Sequence, residues 1–254
     1  MNSQNSLHKF YAGTSGLVLP VPNKAAYPLA FQNRSRLCYY ASLFNSIEIN
    51  SSFYKIPMAS TVRKWAADVP DDFRFTFKLW RGITHEKGLT FNEQDVKRFM
   101  QVINEVKDKK GCLLVQFPPG FRADSLPRLD HLLNVIRQED EHFSWDIAVE
   151  FRHKTWYKEQ VYALLEKYDM GMVIHDLPTS AAPLQASANN FVYLRFHGPN
   201  GGYRGSYTDA FLYEYLEYIK EWQQEGKTVY AYFNNTMGDA VKNLMVLNEY
   251  MRRS

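Results

Sequence analysis

Short apolar runs alternate with longer amphipathic stretches along the chain. Runs rich in β-branched and aromatic residues, bounded by turn residues, predict eight β-strands. These cover residues 10–12, 46–50, 73–79, 112–117, 146–151, 171–175, 191–196 and 228–233. Stretches with helical spacing predict seven helices, at 36–44, 61–67, 93–106, 126–137, 158–168, 209–224 and 239–250. The pattern is therefore a repeated strand–helix unit.

One connection departs from this alternation. Residues 177–190 carry Pro178 and Pro183 among small polar residues, which predicts an irregular loop in place of a sixth helix, between strands six and seven. Alternating strands and helices favour parallel strands, arranged as a barrel or as an open sheet. Eight strands in 254 residues favour the barrel, which needs roughly 250 residues. We predict an α/β fold, a parallel eight-stranded TIM-like (β/α) barrel, as a single domain over residues 1–254.

Six of the eight strands alternate apolar and polar residues with a period of two. In a parallel barrel one strand face packs on the helices and the other fills the interior. Ile47 and Ile49 would face the helices, which leaves Glu48 and Asn50 inside. The same parity assigns Thr76, Lys78, Trp80, Gln116, Glu150, Arg152, Tyr193, Arg195, His197, Tyr230, Tyr232 and Asn234 to the interior. Polar groups thus gather near the carboxyl ends of the strands, where barrel enzymes place their sites.

The interior charges must neutralise one another, because an unpaired buried ion is costly. They are Glu48, Lys78, Glu150, Arg152 and Arg195. In one interpretation Glu48 and Glu150 form a carboxylate pair that exchanges protons, as in glycosidase and isomerase chemistry. In the other, the three cations hold both carboxylates ionised in a structural network. Both interpretations stay open at this point.

Composition is that of a globular protein, with 45% hydrophobic and 22% charged residues and a mean hydropathy of -0.42. This excludes disordered and collagen-like classes. The net charge of +3 comes without a concentrated basic patch, so a nucleic-acid partner is not favoured, although it stays open. Cys38 and Cys112 lie in apolar contexts without metal-type spacing and are expected to be buried thiols. Without a signal peptide or an apolar run of membrane length, we expect a cytoplasmic protein with no membrane partner.

Seven motifs spread over nearly the whole chain stand out as a set. They are GTSG at 13–16, YYASLFNSIEINSSFY at 39–54, FRFTFKLWRGITH at 73–85, LLVQFPPGF at 113–121, VEFRHKTW at 149–156, VYLRFHG at 192–198 and YAYFNNTMGDAV at 230–241. Together they resemble the YecE-like family, also called domain of unknown function 72. The resemblance implies a TIM-like barrel with a polar cleft and implies no particular reaction. Residues 17–28 depart from it, since they lack the tryptophans usual there in the family.

A divalent metal is one alternative for the polar cleft. The potential ligands are His85, His175, Asp176, His197 and Glu150. The chain has no HxH or HExxH motif, and a regular strand lets only one of His175 and Asp176 face inward. Neutral, hydrogen-bonded imidazoles are therefore preferred for His85 and His175, and no cofactor is predicted.

An anionic ligand is expected at the mouth. Arg152, Arg195 and Arg204 lie with Lys78 on strand ends or beyond them, and arginine binds phosphate or carboxylate through two parallel hydrogen bonds. The loop 197–207, HGPNGGYRGSY, has four glycines and lacks the spacing of nucleotide-binding loops. A phosphate grip, a mobile lid and a plain flexible loop all stay open for it.

Further polar residues are expected to line the mouth and bind substrate. They are Asn50, Tyr54, His85, Gln116, Arg152, Asp176, Tyr203, Arg204, Asn234 and Asn235. One of the two asparagines is also expected to cap the last helix. Tyr215, Tyr218 and Trp222 have helical spacing and are expected in the core.

The leading hypothesis is an enzyme, a hydrolase or isomerase, that acts on a small anionic substrate derived from a sugar or a nucleotide. Glu48 and Glu150 would exchange protons, Lys78 and Arg195 would stabilise negative charge, and His197 would relay or orient. A metal-dependent phosphodiesterase or nucleic-acid repair-like barrel is the second hypothesis. A barrel that binds a ligand without chemistry is the third.

Overall fold

Parallel strands form the centre of the molecule in the computed structural model, which describes residues 9–140 and 142–253. The strands are β1 (Phe10–Thr14), β2 (Ser46–Ile49), β3 (Arg74–Lys78), β4 (Lys110–Gln116), β5 (Asp146–Glu150), β6 (Met170–Met172), β7 (Ile174–His175), β8 (Phe191–Phe196) and β9 (Thr228–Phe233). Each falls where the alternating pattern predicts a strand. β6 and β7 are the two halves of the predicted sixth strand, separated only by Val173.

The strands pair in chain order. One sheet has the order β2-β3-β4-β5-β6 and the other the order β1-β9-β8-β7, and every pairing is parallel. The two sheets adjoin at Val173, whose N–H donates to Val149 O at 2.9 Å. They also adjoin at a parallel bridge between Ser15 and Glu48. This arrangement is the TIM-like (β/α) architecture predicted from the sequence.

Helices follow the strands as the spacing predicts. They are α1 (Arg36–Ala41), α2 (Ser51–Tyr54), α3 (Ala59–Ala67), α4 (Arg81–Thr84), α5 (Glu93–Ile103), α6 (Leu126–Glu139), α7 (Glu159–Lys167), α8 (Asp209–Gln224) and α9 (Ala240–Arg253). Side-chain oxygens set some of the starts: Asn92 Oδ1 accepts from Gln94 N at 2.9 Å before α5, and Thr208 Oγ1 from Phe211 N at 3.3 Å before α8. The single-turn helices α2 and α4 were not predicted.

Residues 177–190 contain no helix, which confirms the predicted irregular loop. The loop is tied back to the strand that precedes it, because Ala182 N donates to His175 O at 3.0 Å. The chain therefore reaches β8 without an outer helix at this place, and the mouth beside β7 and β8 is bordered by loop.

Two apolar clusters lie on opposite faces of the strands, as the period of two predicts. The outer cluster packs strand residues such as Ile47, Phe75 and Phe77 against the helices. The inner cluster consists of Tyr11, Cys112, Leu114, Ala148, Val173, Phe191, Tyr193, Tyr230 and Tyr232. Aromatic and small side chains thus fill the interior, and the charged residues lie above them toward the strand ends.

The structure tests the predicted positions of Trp80, of the two cysteines and of the aromatic residues of α8. Trp80 was expected inside, but β3 ends at Lys78 and Trp80 packs against the outer cluster instead. Both cysteines are free thiols; Cys112 is buried as expected, whereas Cys38 is only half-buried. Trp222 is buried in the outer cluster, with Tyr215 and Tyr218 packed on it.

No helix among the described residues has the length and apolar character needed to cross a membrane.

Candidate functional site

The carboxyl ends of the strands carry the charged side chains of the mouth. Glu48 lies on β2, Lys78 and Glu150 are the last residues of β3 and β5, and Arg195 lies on β8 with His197 just after it. All five predicted catalytic residues are buried, with exposures between 0% and 8%. The period of two explains their common direction, since each occupies an inward position of its strand.

Arg195 is the centre of an ion network. Its Nε and Nη2 donate to the two carboxylate oxygens of Glu48 at 3.0 and 2.8 Å, and its Nη1 donates to Glu150 Oε2 at 3.0 Å. Arg152 Nε forms an ion pair with the other oxygen of Glu150. Tyr193 donates its hydroxyl to Glu48 at 2.6 Å. We call Glu48, Glu150, Arg152 and Arg195 the Glu–Arg network; its two negative and two positive charges cancel.

The arginines keep both carboxylates ionised. Burial alone would raise the pKa of Glu48, but the charge and hydrogen bonds of Arg195 outweigh it and hold that pKa below its ordinary value. Burial is likewise outweighed at Glu150, where Arg152 and Arg195 together lower the pKa well below the usual range. Neither carboxylate has a proton to give near neutral pH, so this geometry favours the structural-network interpretation over the proton-exchanging pair.

His197 is a neutral imidazole held between the network and Asp176. Its Nε2 lies 3.0 Å from Arg152 Nη2 and 3.2 Å from Arg195 Nη1. Guanidinium groups only donate, so Nε2 is the acceptor and Nδ1 carries the hydrogen, 3.4 Å from Asp176 Oδ1. Burial, helped by the two arginines, lowers the pKa of His197 to about 4. Its Nε2 is engaged by both guanidiniums, which suits orientation of the arginines better than a proton relay.

Lys78 stands beside the network without a carboxylate partner. Its Nζ lies 4.0 Å from the centre of the Phe53 ring, and no carboxylate of the described part of the chain lies within ion-pairing distance of it. The ring is fixed by α2, because Ser52 Oγ lies 2.6 Å from Ile49 O and 2.7 Å from Lys78 O. Burial, together with the charge of Arg195, lowers the pKa of Lys78 from 10.5 to about 7. Lys78 is therefore more easily deprotonated than a lysine in water.

His85 lies close to Lys78. Its ring packs edge-on against Phe53, with centroids 4.8 Å apart, and its Nδ1 lies 2.8 Å from Thr84 Oγ1. Burial and the charge of Lys78 lower the pKa of His85 to about 4. It is therefore a neutral imidazole at pH 7, as preferred from the sequence.

The predicted amides occupy different depths. Gln116 pairs in register with Glu150 and is 7% exposed, and Asn234 has the same exposure. Asn50 Oδ1 is buried and has no hydrogen-bond partner among the described residues, so it can accept a hydrogen bond from a ligand. Tyr54 is 70% exposed, which places it outside the buried mouth.

The glycine-rich loop is held in place beside His197. Tyr203 N donates to His197 O at 3.0 Å, and the Tyr203 ring stands 5.8 Å from the imidazole. Gly198 has a φ of 101°, and a Cβ there would lie 2.1 Å from Arg204 O, so only glycine fits. Arg204 itself is exposed. These contacts favour a fixed loop over a flexible one.

Asn235 supports this loop through its amide nitrogen, while its buried Oδ1 has no hydrogen-bond partner among the described residues. Its Nδ2 donates to Gly205 O and to Asn243 Oδ1, both at 3.0 Å, and the residue is fully buried. Since α9 begins at Ala240, neither Asn234 nor Asn235 caps it, which corrects that expectation. The side chain folds back on the loop because Gly205 and Asn243 offer the acceptors it needs.

Asp176 is also occupied by protein partners. Its Oδ1 accepts from His197 N at 2.7 Å, and its Oδ2 accepts from the Tyr207 hydroxyl. Tyr207 in turn accepts from Gly198 N at 2.5 Å. Asp176 therefore positions His197 and the loop, a role that the predicted substrate contact did not include.

The described residues contain no group of three or more His, Cys, Asp or Glu side chains placed to hold a metal ion. His175 shows why, since Nδ1 accepts from Leu177 N at 3.3 Å and Nε2 lies 2.9 Å from Phe151 O. Burial lowers the pKa of His175, which keeps it neutral. The geometry favours hydrogen-bonded histidines over the metal alternative.

Three residues contribute to the site although the sequence did not predict them as site residues. Tyr193 was assigned to the interior by parity, but its bond to Glu48 needs the register of β2 and β8. Phe53 follows β2 in a segment whose single turn has no strong pattern. Tyr207 belongs to the glycine-rich loop, and nothing local to that loop indicates a partner 31 residues away.

Comparison with known proteins comes from sequence and from structure. The sequence profile of a family described as "Protein of unknown function DUF72" matches residues 11–254. The UPF0759 protein YunF of Bacillus subtilis (strain 168) is 28% identical, over 85% of this chain and 86% of that protein. A crystal structure of a DUF72 family protein from Enterococcus faecalis V583 superposes with a TM-score of 0.78 at 24% identity and covers 96% of both chains.

More distant solved structures share the fold. An AP endonuclease, family 2, from Brucella melitensis has a TM-score of 0.54 at 12% identity, over 92% of this chain and 97% of that one. A D-psicose 3-epimerase, solved in the presence of D-fructose, has a TM-score of 0.55 at 10% identity, over 85% and 90%. At such low identity these likenesses speak for a TIM-barrel type of architecture and not for a reaction.

Proposed function

This chain belongs to the DUF72 family, and from that premise we propose that it is an enzyme whose barrel mouth binds a small anionic molecule and transforms it by acid/base and electrostatic catalysis. The observation that carries this proposal is Lys78. The Glu–Arg network is neutral by itself, and Lys78 adds a cation that pairs with no carboxylate of the described residues. An unpaired buried cation is costly and is retained where a negative ligand completes it.

Arg152 supplies the second contact for the anion. Its Nε pairs with Glu150 and its Nη2 meets His197, while its Nη1 has no partner among the described residues. An anion placed between Lys78 and this Nη1 would meet a compact ammonium and one edge of a fixed guanidinium. Phosphorylated sugar- or nucleotide-derived compounds carry a group of this kind.

Roles within the site follow from the contacts. Lys78 exchanges a proton with the substrate, because it is the buried group at the mouth that titrates near neutral pH. Glu48 and Glu150 stay ionised and fix Arg195 and Arg152, and His197 orients both guanidiniums. This assignment moves the proton exchange from the carboxylates to Lys78. We also propose a cytoplasmic location, supported by the two free thiols.

Phosphate titration followed by NMR tests the anion site. We expect the wild type to bind inorganic phosphate with an affinity that decreases as the pH rises above 7, because Lys78 then loses its charge. Lys78→Met should weaken binding by about tenfold or more, the equivalent of one lost charge contact. The control Lys97→Met, at an exposed position of α5, should bind like the wild type.

Unchanged phosphate binding in Lys78→Met would contradict the proposal. Native mass spectrometry of the purified protein identifies any co-purifying metabolite. A bound compound that the protein never converts would move the assignment to the third hypothesis, a barrel that binds without chemistry.

A further inference from the structure

The surroundings of Lys78 bear on the chemistry of its amine as well as on anion binding. Its Nζ lies on the face of Phe53 at 4.0 Å, the residue is 8% exposed, and no carboxylate of residues 9–140 and 142–253 pairs with it. The two nearby carboxylates are already taken by Arg195 and Arg152. A carboxylate partner would keep this lysine protonated, and Lys78 instead has an apolar ring beside its Nζ.

We infer that Lys78 Nζ forms a covalent imine with the carbonyl carbon of an anionic aldehyde or ketone whose carboxylate or phosphate is bound by Arg152. This inference rests on the proposed function and names its substrate class. Buried lysines on apolar surroundings and next to other cations are the ones that react with carbonyl compounds in proteins, because the neutral amine is the nucleophile.

The electrostatic surroundings supply that neutral amine. Burial and the charge of Arg195 lower the pKa of Lys78 to about 7, so the free amine is accessible near neutral pH. The Glu–Arg network keeps Arg195 and Arg152 in place, since each guanidinium pairs with a buried carboxylate. Arg195 and Arg152, whose charges lower the pKa of Lys78, are therefore held in fixed positions.

The step is balanced without a further reagent. The nitrogen lone pair attacks the carbonyl carbon, and a C–N bond forms while the C=O π pair moves to oxygen, which takes up a proton. The nitrogen loses a proton, the hydroxyl oxygen takes up a second proton, and the C–O bond then breaks so that one water leaves. The net uptake is one proton, which the solvent supplies. A protonated imine remains, which draws electrons from the neighbouring carbon and makes its hydrogen acidic. Water can reverse every step.

Arg152 gives the inference its anionic specificity. Its Nη1 has no partner among the described residues, and its other nitrogens are held by Glu150 and His197. Lys78 is the last residue of β3 and Arg152 follows Glu150, the last residue of β5, so both cations lie at the carboxyl ends of strands in one sheet. A substrate with its anionic group on Arg152 can thus turn its carbonyl carbon toward Lys78.

Reductive trapping tests this chemistry. The intact protein is incubated at pH 7 with pyruvate, dihydroxyacetone phosphate or neutral acetone, each with sodium cyanoborohydride, and the modified peptide is identified by mass spectrometry. We expect Lys78 to be modified at least about tenfold faster than exposed Lys97 by one of the two anionic compounds. Pyruvate and dihydroxyacetone phosphate distinguish a carboxylate from a phosphate at Arg152. Equal labelling of both lysines, or equal labelling of Lys78 by acetone, would overturn the inference.

Lys78→Arg separates this inference from the proposed function. A guanidinium keeps the charge but forms no imine, so this variant should retain phosphate binding and lose trapping at position 78. If the wild type binds phosphate yet neither anionic carbonyl compound labels Lys78, the imine fails and the anion site stands. If phosphate binding also fails, both proposals fall.

Discussion

Replacing Glu150 with glutamine should lower the free energy of unfolding by about 3–5 kcal/mol at pH 7, the range for breaking a buried ion pair by removing one partner. Glu150 is fully buried and bridges Arg195, at 3.0 Å, and Arg152. Glutamine keeps the size of the side chain but presents an amide donor to guanidiniums that can only donate. The loss therefore comes from uncompensated positive charge and not from a cavity.

Most of the lost stability should come from Arg152, because its charge is left without a carboxylate partner. Arg195 retains its two bonds to Glu48, whereas the remaining contact of Arg152 is His197 Nε2 at 3.0 Å. A double variant, Glu150→Gln with Arg152→Met, should therefore recover about 1–2 kcal/mol, within the usual range for coupled residues.

Urea unfolding followed by circular dichroism at pH 7 measures these differences. Glu105→Gln is the matched control, since Glu105 pairs with Arg63 at 2.6 Å on the surface and its loss should cost less than about 1 kcal/mol. The folded pKa of Glu150 is depressed, so its stabilisation is complete above its ordinary value of 4.5 and is lost as the pH falls through the folded pKa. The difference in the free energy of unfolding between the wild type and Glu150→Gln should therefore narrow below pH 4.5. A cost no larger than that of the control would refute the reasoning.

Two further predictions concern pH and the loop. His85 and His197 have pKa values lowered to about 4, so their neutral forms stabilise the fold above 6.5 and this stability decreases as the pH falls from 6.5 to 4. Urea unfolding at intervals over this range should show the decline, and a flat profile would contradict the burial of both imidazoles. Gly198→Ala should cost about 2 kcal/mol or more, because the added Cβ would meet Arg204 O and the φ is positive. Gly202→Ala, with a positive φ but open space, is the control, and its thermal midpoint should decrease less.

The alternation of strands and helices could be predicted because it depends on local periodicity. The period of two also predicted which residues face inward, and Glu48, Glu150 and Arg195 meet there as expected. Parity determines a direction along one strand and carries no register between strands. The sequence could therefore predict that the interior charges pair, but not that Arg195 bridges both carboxylates.

Expectations failed where the chain leaves regular strands. Trp80 lies past the end of β3, so the alternation that placed it inside no longer applies. The contacts of Asn235 could not be predicted either, because its amide nitrogen donates to Gly205 and Asn243, partners that only the tertiary fold brings close. Phe53 lies under Lys78 because the single helical turn α2 places it there. An element of four residues is too short to show a hydrophobic periodicity in the sequence.

The most direct measurement is the thermal midpoint of Lys78→Met against the wild type, with and without inorganic phosphate. The folded pKa of Lys78 is lowered from 10.5 to about 7, so the buried ammonium costs stability at pH 7 and below, and this cost disappears as the pH rises from 7 to 10.5. We predict that Lys78→Met is more stable than the wild type at pH 7 by about 1–3 kcal/mol. We also predict that phosphate raises the midpoint of the wild type only. A destabilised variant that still gains normally from phosphate would contradict the role of Lys78 as the unpaired cation of an anion site.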